Sequence, residues 1–197
     1  MKSRSARRVA TRALVAIGAL AVLQQVAARE SAQLPGAVPI NSGVAQLLFT
    51  PWDDAEGQIV AALRGARREV LVQAFSFTSR TIARALIDAL GRGVDVRVTA
   101  DAGEAARFER GRIDEMAAAG IPVWLESAYQ SAHNKVIVID AELANNVVIT
   151  GSYNWTQAAQ HRNAENVLIL RSQRDLAARY RANWLRHQAG AQRHSPR

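Results

Sequence analysis

The sequence contains a histidine and a lysine two residues apart, His133 and Lys135, ahead of an apolar run that ends in Asp140. Residues two apart on a strand project to the same face, so the imidazole and the ammonium should lie together while Asp140 points the other way. An imidazole can act as a nucleophile or general acid near neutral pH, and an ammonium can bind phosphate oxygens. The stretch is either a core strand with polar ends or half of a phosphate-handling site.

A second polar cluster follows in TGSYNWT, residues 150–156. Ser152 and Asn154 are again two apart and would share a face, and Gly151 would allow a close approach of the backbone. If the two strands pair, one patch collects an imidazole, an ammonium, a hydroxyl and a carboxamide. Glu165, at the start of a later strand, could accept the Nδ1 proton of the imidazole and orient the ring.

Each of these residues alone also has an ordinary structural explanation, such as a solvated strand end or a Gly-Ser turn. Trp155 could stack on a nucleobase beside a groove or could belong to the core. Phe75, Ser76 and Phe77 are secondary candidates, for which a buried strand is the favoured interpretation. The joint pattern makes phosphodiester chemistry an equal alternative to the structural interpretation.

The stretches HNKVIVID and GSYNWT resemble the HKD signature of the phospholipase D superfamily, most closely that of short, exported, single-motif bacterial endonucleases of the EDTA-resistant type. The segments AFSFTSRTIARALIDALGRGVDVRVTAD, AAAGIPV and NAENVLIL are similar too, so the resemblance covers roughly residues 45–188. It implies that His133 attacks phosphorus in line and forms a phosphohistidine, while a second histidine protonates the leaving oxygen. The implied supporting residues, which bind the phosphate or orient the nucleophile, are Lys135, Ser152, Asn154 and Glu165.

The chain has one such motif, and its other histidines, His161, His187 and His194, lie outside it. The resemblance therefore implies a twofold homodimer in which each chain contributes His133 to a shared site. It implies no cofactor and no metal ion, because lysines and hydrogen-bond donors supply the electrostatic stabilisation. Asp140 is grouped with the catalytic residues as the motif aspartate, although its direction favours a structural or indirect role, such as pairing with a basic residue.

The connection between the two motif strands is longer than the resemblance implies. Ten residues, 141–150, separate Asp140 from Gly151 where the superfamily usually has six. We expect a longer hairpin tip around residues 142–146. The site should remain intact, but the longer loop could alter access to the cleft.

The N-terminus has the pattern of a signal peptide: a basic segment, an eleven-residue apolar run at 13–23 and small residues before a cleavage point after Ala28. The apolar run is short for a bilayer span, although an uncleaved anchor is the alternative. We expect a periplasmic or secreted protein with no stable membrane insertion after cleavage. The predicted organisation is a signal peptide at 1–28, a linker or flexible N-terminus at 29–43, a phospholipase D-like domain at 44–189 and a flexible tail at 190–197.

Composition is that of a globular protein, with 49% apolar and 21% charged residues. The absence of cysteine excludes disulfides and thiolate metal sites. The net charge of +8 is concentrated in the leader, because 20 basic residues face 17 acidic ones after Ala28. This charge balance is compatible with a local basic groove for nucleic acid. It does not support a strong positive electrostatic field over the whole domain.

Strands alternate with helices, which predicts an α/β fold: a layered α-β-α domain with a mixed, mostly buried sheet. The predicted strands are 44–50, 70–78, 94–101, 121–126, 134–140, 146–153 and 164–171. The predicted helices are 51–69, 79–93, 104–119, 155–160 and 172–188.

Three functions fit these features. The first is a metal-independent endonuclease that hydrolyses DNA, with RNA as a further substrate. The second is a phospholipase D-type lipid phosphodiesterase, which the small size, the single motif and the lack of an obvious amphipathic membrane element disfavour. The third is a dimeric nucleic-acid-binding domain without turnover, against which the complete set of reactive residues argues.

Overall fold

The computed structural model describes residues 37–40, 43–107 and 111–195. The predicted signal peptide, 1–28, and most of the predicted linker therefore lie outside the described residues. From residue 43 onward the described chain forms an eight-stranded sheet with helices on both faces. None of the described helices combines the length and the apolar character needed to span a membrane.

The sheet is mixed, as predicted. Its strands in spatial order are β1 (Val44–Thr50), β7 (Glu165–Arg171), β6 (Val147–Gly151), β5 (Val136–Ile139), β2 (Glu69–Ala74), β3 (Asp95–Asp101), β4 (Val123–Glu126) and β8 (Gln192–Arg193). The neighbouring strands β2, β3 and β4 run parallel to one another, and every other neighbouring pair is antiparallel.

Helices cover the two faces of the sheet unequally. They are α1 (Ala55–Arg64), α2 (Arg80–Gly91), α3 (Ala102–Ala106), α4 (Arg112–Ala118), α5 (Gln157–His161) and α6 (Arg174–Ala189). One face packs in a core with buried residues of α1, α2, α4 and α5, and the other packs in a second core against Ala177 and Trp184 of α6. The layered α/β prediction is confirmed.

Local sequence explains where the first two helices begin. The side chain of Asp54 accepts a hydrogen bond from the Gly57 N–H at 2.8 Å and starts α1. The hydroxyl of Ser79 does the same for the Ile82 N–H at 3.1 Å and starts α2. Both helices then turn apolar stripes toward the sheet.

Two predicted segments differ in the structure. The helix predicted at 104–119 is two short helices, α3 and α4, because the second one begins after Gly111. The tail predicted at 190–197 contributes β8, which pairs with β4. Arg193 holds it by lying over the Trp124 ring, with Cζ 4.6 Å from the centroid, and the His194 N–H bonds to the Val123 carbonyl at 2.9 Å.

The strand directions bring several chain segments to one edge of the sheet. The start of β5 lies beside the end of β2 through the pair Val136 and Gln73. The end of β6 lies beside the start of β5, and the start of β7 lies beside the ends of β6 and β1. This edge, called the site edge below, gathers residues that are far apart in sequence.

Candidate active site

His133 and Lys135 lie at the site edge, just before β5. Lys135 is buried, with 5% exposure, whereas the side chain of His133 is exposed. The Lys135 ammonium donates a hydrogen bond to the His133 carbonyl at 3.0 Å, which ties the two motif residues together. The exposed histidine is thus tied through its backbone to a buried lysine.

Phe75 extends this arrangement from the end of β2. Its ring centroid lies 4.4 Å from that of the His133 ring, and the Lys135 Nζ lies 4.8 Å from the Phe75 centroid. The aromatic face can attract the ammonium while the ring limits the orientations open to the imidazole. Phe75 was only a secondary candidate from sequence, and the structure brings it into the site, whereas Phe77 is buried in the core.

Burial lowers the pKa of Lys135 below its ordinary value of 10.5, and the negative charge of Glu165 partly offsets this effect. A bound phosphate would supply the negative charge that the buried ammonium lacks. The electrostatics of the free site therefore favour an anion near Lys135.

Ser152 follows the last residue of β6 and is bound to Asn166. Its hydroxyl oxygen accepts hydrogen bonds from the Asn166 backbone N–H at 3.1 Å and from its Nδ2 at 3.2 Å. Both bonds use Ser152 as the acceptor, so the hydroxyl proton can point toward a ligand. Asn166 was not predicted as a site residue; the second asparagine of HRNAEN, one position after Glu165, was its only signal.

Gly151 makes this close approach possible. A Cβ at this position would lie 2.1 Å from the Asn166 carbonyl oxygen, and the φ of 155° is unfavourable for other residues. The expected role of Gly151 in close backbone packing agrees with this geometry.

Asn154 is half-buried, and its side-chain Oδ1 finds no hydrogen-bond partner among the described residues although the atom is buried. Its neighbours Tyr153 and Trp155 are both 1% exposed and pack in the core. Burial raises the pKa of the Tyr153 hydroxyl, with further contributions from Glu56, Asp54 and Glu165, so the phenol stays protonated.

The prediction that Trp155 stacks on a nucleobase is wrong. The indole is buried, and its Nε1 donates a hydrogen bond to the Gln73 carbonyl at 3.0 Å. Trp155 thereby joins the site loop to β2, which is a structural contribution. Alternation along the chain puts Tyr153 and Trp155 inside.

Glu165 is the first residue of β7 and lies opposite Thr50 of β1. Its carboxylate accepts a hydrogen bond from the Asn163 amide at 2.9 Å. The observed partner is therefore Asn163 and not the His133 imidazole, and the predicted orienting role of Glu165 stays a proposal. Its negative charge nevertheless raises the pKa of Lys135, so the carboxylate acts on the ammonium of the HKD motif.

Asp140 does not join these residues, because it lies at the opposite end of β5 from His133. Its carboxylate accepts three backbone hydrogen bonds, from Arg67 at 2.9 Å, Arg68 at 2.7 Å and Glu69 at 3.0 Å. This position does not fit the grouping of Asp140 with the catalytic residues. It fits the structural role that the expected direction of the side chain favoured. The partners are backbone amides rather than a basic side chain.

The long connection after Asp140 is also remote from His133. Its turn precedes β6, and Asn146 fixes it by donating to the Leu143 carbonyl at 2.7 Å and accepting from the Gln173 N–H at 2.9 Å. The longer hairpin tip expected at 142–146 is present, but it lies at the other edge of the sheet and does not border the site.

Comparison with known proteins agrees with this geometry. The chain matches the family described as cardiolipin synthase, PLD-like domain, over residues 59–187, which is more than half of its length. The chain belongs to the phospholipase D superfamily. It is accordingly a phosphodiester hydrolase, and the resemblance inferred from the HKD motif is confirmed at the level of the superfamily.

Among curated relatives, the phospholipase D of Rickettsia conorii is 38% identical over 141 residues, which are 72% of this chain and 68% of the relative. The mitochondrial cardiolipin hydrolase of Xenopus laevis is 36% identical over 117 residues, and the match spans 59% of this chain and about half of that protein, 53%.

Among solved structures, Nuc from Salmonella typhimurium, described as a phospholipase D family member, superposes with a TM-score of 0.70 and 28% identity over 78% of this chain and 99% of Nuc. NucT from Helicobacter pylori gives a TM-score of 0.68 over 78% of this chain and 100% of NucT, and its 22% identity supports the fold alone.

Proposed function

We propose that this protein is a metal-independent endonuclease that hydrolyses DNA, and RNA as a further substrate, through a phosphohistidine intermediate. The observation that carries the proposal is the exposed His133 whose backbone carbonyl is bound by the buried Lys135 ammonium. The match covers 99% of Nuc, whose name suggests a nuclease, and this supports nucleic acid as the substrate class.

In the proposed reaction, the neutral imidazole of His133 attacks phosphorus in line, and the bond from phosphorus to the leaving oxygen breaks. Lys135, Ser152 and Asn154 bind the nonbridging oxygens, where negative charge grows. A second histidine donates a proton to the leaving oxygen. It then takes a proton from water, which attacks phosphorus, breaks the bond to His133 and releases the phosphate product.

The second histidine is proposed to come from another copy of the chain. The strand β1 carries exposed apolar residues that support self-association: Leu47 (60% exposed), Phe49 (49%) and, directly after the strand, Trp52 (82%). Phe49 pairs with Asn166 and Thr50 with Glu165, so this apolar patch of Leu47, Phe49 and Trp52 adjoins the site edge. Burial of such a patch would stabilise a homodimer next to the site.

A lipid phosphodiesterase is the second candidate, because curated relatives are named phospholipase D and cardiolipin hydrolase. To separate the two, the mature chain and its His133→Ala variant are incubated in excess EDTA with plasmid DNA, single-stranded DNA, RNA, and vesicles of phosphatidylcholine or cardiolipin. The nuclease proposal expects histidine-dependent cleavage of nucleic acid. Turnover of lipid alone would reverse the assignment.

We further propose that the chain works in the periplasm or outside the cell after cleavage behind Ala28. Fractionation of expressing cells, with N-terminal sequencing of the product, tests this. A mature protein that begins at Arg29 and is recovered with the periplasm or medium agrees with export, and an intact leader recovered with membranes indicates an anchor.

A further inference from the structure

The loop that carries His133 has no regular structure. It spans residues 127–135 between β4 and β5, and residues 127–131 and His133 are exposed. A nucleophile on such a loop needs contacts that fix the backbone, because in-line attack tolerates little displacement. Two carboxylates at the ends of parallel strands supply these contacts.

The first is Asp101, the last residue of β3, which is 6% exposed. Its Oδ2 accepts a hydrogen bond at 2.8 Å from the N–H of Ala132, the residue before His133. Its Oδ1 accepts from the Glu104 N–H at 2.8 Å at the start of α3. Asp101 therefore joins the nucleophile loop to both β3 and α3.

The second is Glu126, the last residue of β4, which is 5% exposed and lies beside Asp101 in the sheet. Its Oε2 is 2.5 Å from the Nδ1 of His187 on α6. The His187 ring also packs against the Tyr129 ring of the loop, with 5.4 Å between centroids. One imidazole thus contacts both the strand residue that precedes the loop and a ring of the loop itself.

Helix α6 can serve as a rigid support for His187. One turn earlier, the Trp184 Nε1 donates a hydrogen bond to the Val72 carbonyl of β2 at 2.9 Å. At the start of β2, Arg181 forms a bidentate ion pair with Glu69, with N–O distances of 2.8 and 3.0 Å. These bonds fix α6 to the strand whose end supplies Phe75, the aromatic neighbour of His133.

We propose that His187 is a positioning residue: with Glu126 and Tyr129 it holds the loop so that His133 is aligned for attack. This inference rests on the proposed nucleophilic role of His133. The motif does not include His187, and its effect on the reaction passes through the loop. Its loss should therefore slow the chemical step more than it weakens substrate binding.

The two decisive variants differ in whether they keep the hydrogen-bond donor that the Nδ1 atom of His187 supplies. In His187→Asn the side-chain amide can still donate to Glu126 from nearly the same position, whereas His187→Leu removes the donor and the ring. We expect His187→Leu to lower kcat by about tenfold to a hundredfold with KM changed by less than about twofold. His187→Asn should recover most of that loss.

A control variant exists at His194. Its Nε2 lies 2.7 Å from Asp114, so His194→Leu removes a histidine–carboxylate pair that does not touch the nucleophile loop. The two imidazoles are equally exposed, at 15% for His187 and 16% for His194, although Asp114 is more exposed than Glu126. The kcat of His194→Leu should stay within about twofold of the wild type. Equal losses of kcat in the two leucine variants would overturn the proposal, because the loss of either histidine–carboxylate pair would then lower kcat to the same extent.

Hydrogen exchange supplies a readout that does not depend on turnover. In His187→Leu, the amide of Ala132 should exchange faster while amides of α2 keep their wild-type protection. If His187→Leu does not fold, Tyr129→Ala at an exposed ring tests the same contact. Wild-type kcat and loop protection in the variants that fold would refute positioning, whereas an active His133→Ala would instead refute the nucleophile assignment on which it rests.

Discussion

Lys135 combines two properties that conflict in the free protein. In the proposed mechanism its ammonium binds phosphate, yet burial lowers its pKa in the free protein, where it lies over the Phe75 ring. Lys135 is also the sole lysine after Lys2 in the sequence, so a lysine-labelled mature chain gives one side-chain signal to follow. This residue makes the electrostatics of the site directly measurable.

We predict that the labelled Lys135 side chain titrates below its ordinary pKa of 10.5 in the free protein, and that its pKa rises when inorganic phosphate binds. Since the folded protein binds this proton less tightly than the unfolded chain, the free energy of unfolding should increase as the pH rises from the lowered pKa toward 10.5. NMR titration with and without phosphate measures the pKa. An unshifted pKa in both states would contradict the described burial.

The Lys135→Met variant tests the same burial through the free energy of unfolding. Removal of a poorly solvated charge should leave the protein at neutral pH as stable as the wild type or more stable, while kcat/KM falls by about a hundredfold or more. Urea unfolding and initial rates at pH 7 give the two values. A variant that is both destabilised and active would show that Lys135 serves the fold rather than the substrate.

Residue types and spacing predicted much of the candidate site, since His133 and Lys135 do lie together, as do Ser152 and the start of β7. The roles of two residues could not be decided from the sequence, for physical reasons. Trp155 is buried because alternation continues past the strand end, and Phe75 reaches His133 only through the pairing of β2 with β5. Long-range register of this kind cannot be inferred from spacing within one motif.

Among the elements, β5 separates two tasks at its two ends. His133 precedes the strand, and Asp140 follows it with three backbone amides bound to its carboxylate. Asp140 has a φ of 50°, a conformation that aspartate tolerates better than most residues. The aspartate therefore stabilises the connection from α1 to β2.

We predict that Asp140→Ala lowers the free energy of unfolding by about 2–4 kcal/mol, because three partly buried backbone N–H donors lose their charged acceptor. At a temperature where the variant remains folded, kcat should stay within about threefold of the wild type. Thermal denaturation and activity at low temperature measure the two effects. A stable but inactive variant would return Asp140 to the catalytic group.

The order of the elements was predicted well, because strands alternate with helices and the spacing of apolar residues distinguishes the two. The interruption between α3 and α4 was missed, since no proline lies between them and only Gly111 marks the second start. The strand β8 was missed because a polar tail gives no strand signal. Its position depends on tertiary contacts such as that of Arg193 with Trp124.

At the scale of the whole molecule, the proposed shared site makes activity depend on subunit composition. If each site needs His133 from both chains, a mixed dimer of wild-type and His133→Ala subunits is inactive. After unfolding and joint refolding of equal amounts, we predict about one quarter of the wild-type activity, the fraction of dimers with two histidines. Retention of one half would indicate that each chain acts alone.

The apolar patch on β1 gives the same claim a structural test. Replacing Leu47 and Phe49 by Asp should produce a monomer by light scattering and abolish most activity, although His133 is untouched. Substitution of the exposed Arg84 by Glu, on the outer surface of α2, serves as a control for added charge. A dimer that survives the change on β1 would place the interface elsewhere.

The most direct measurement of the central claim is DNA cleavage by the purified mature chain in excess EDTA, followed by rapid acid-free denaturation and mass spectrometry of the protein. We predict cleavage that persists in EDTA, is lost in His133→Ala, and leaves a phosphoramidate adduct, with one DNA end still esterified to phosphorus, on the peptide that contains His133. Cleavage that EDTA stops, or that His133→Ala retains, would contradict histidine catalysis at this site.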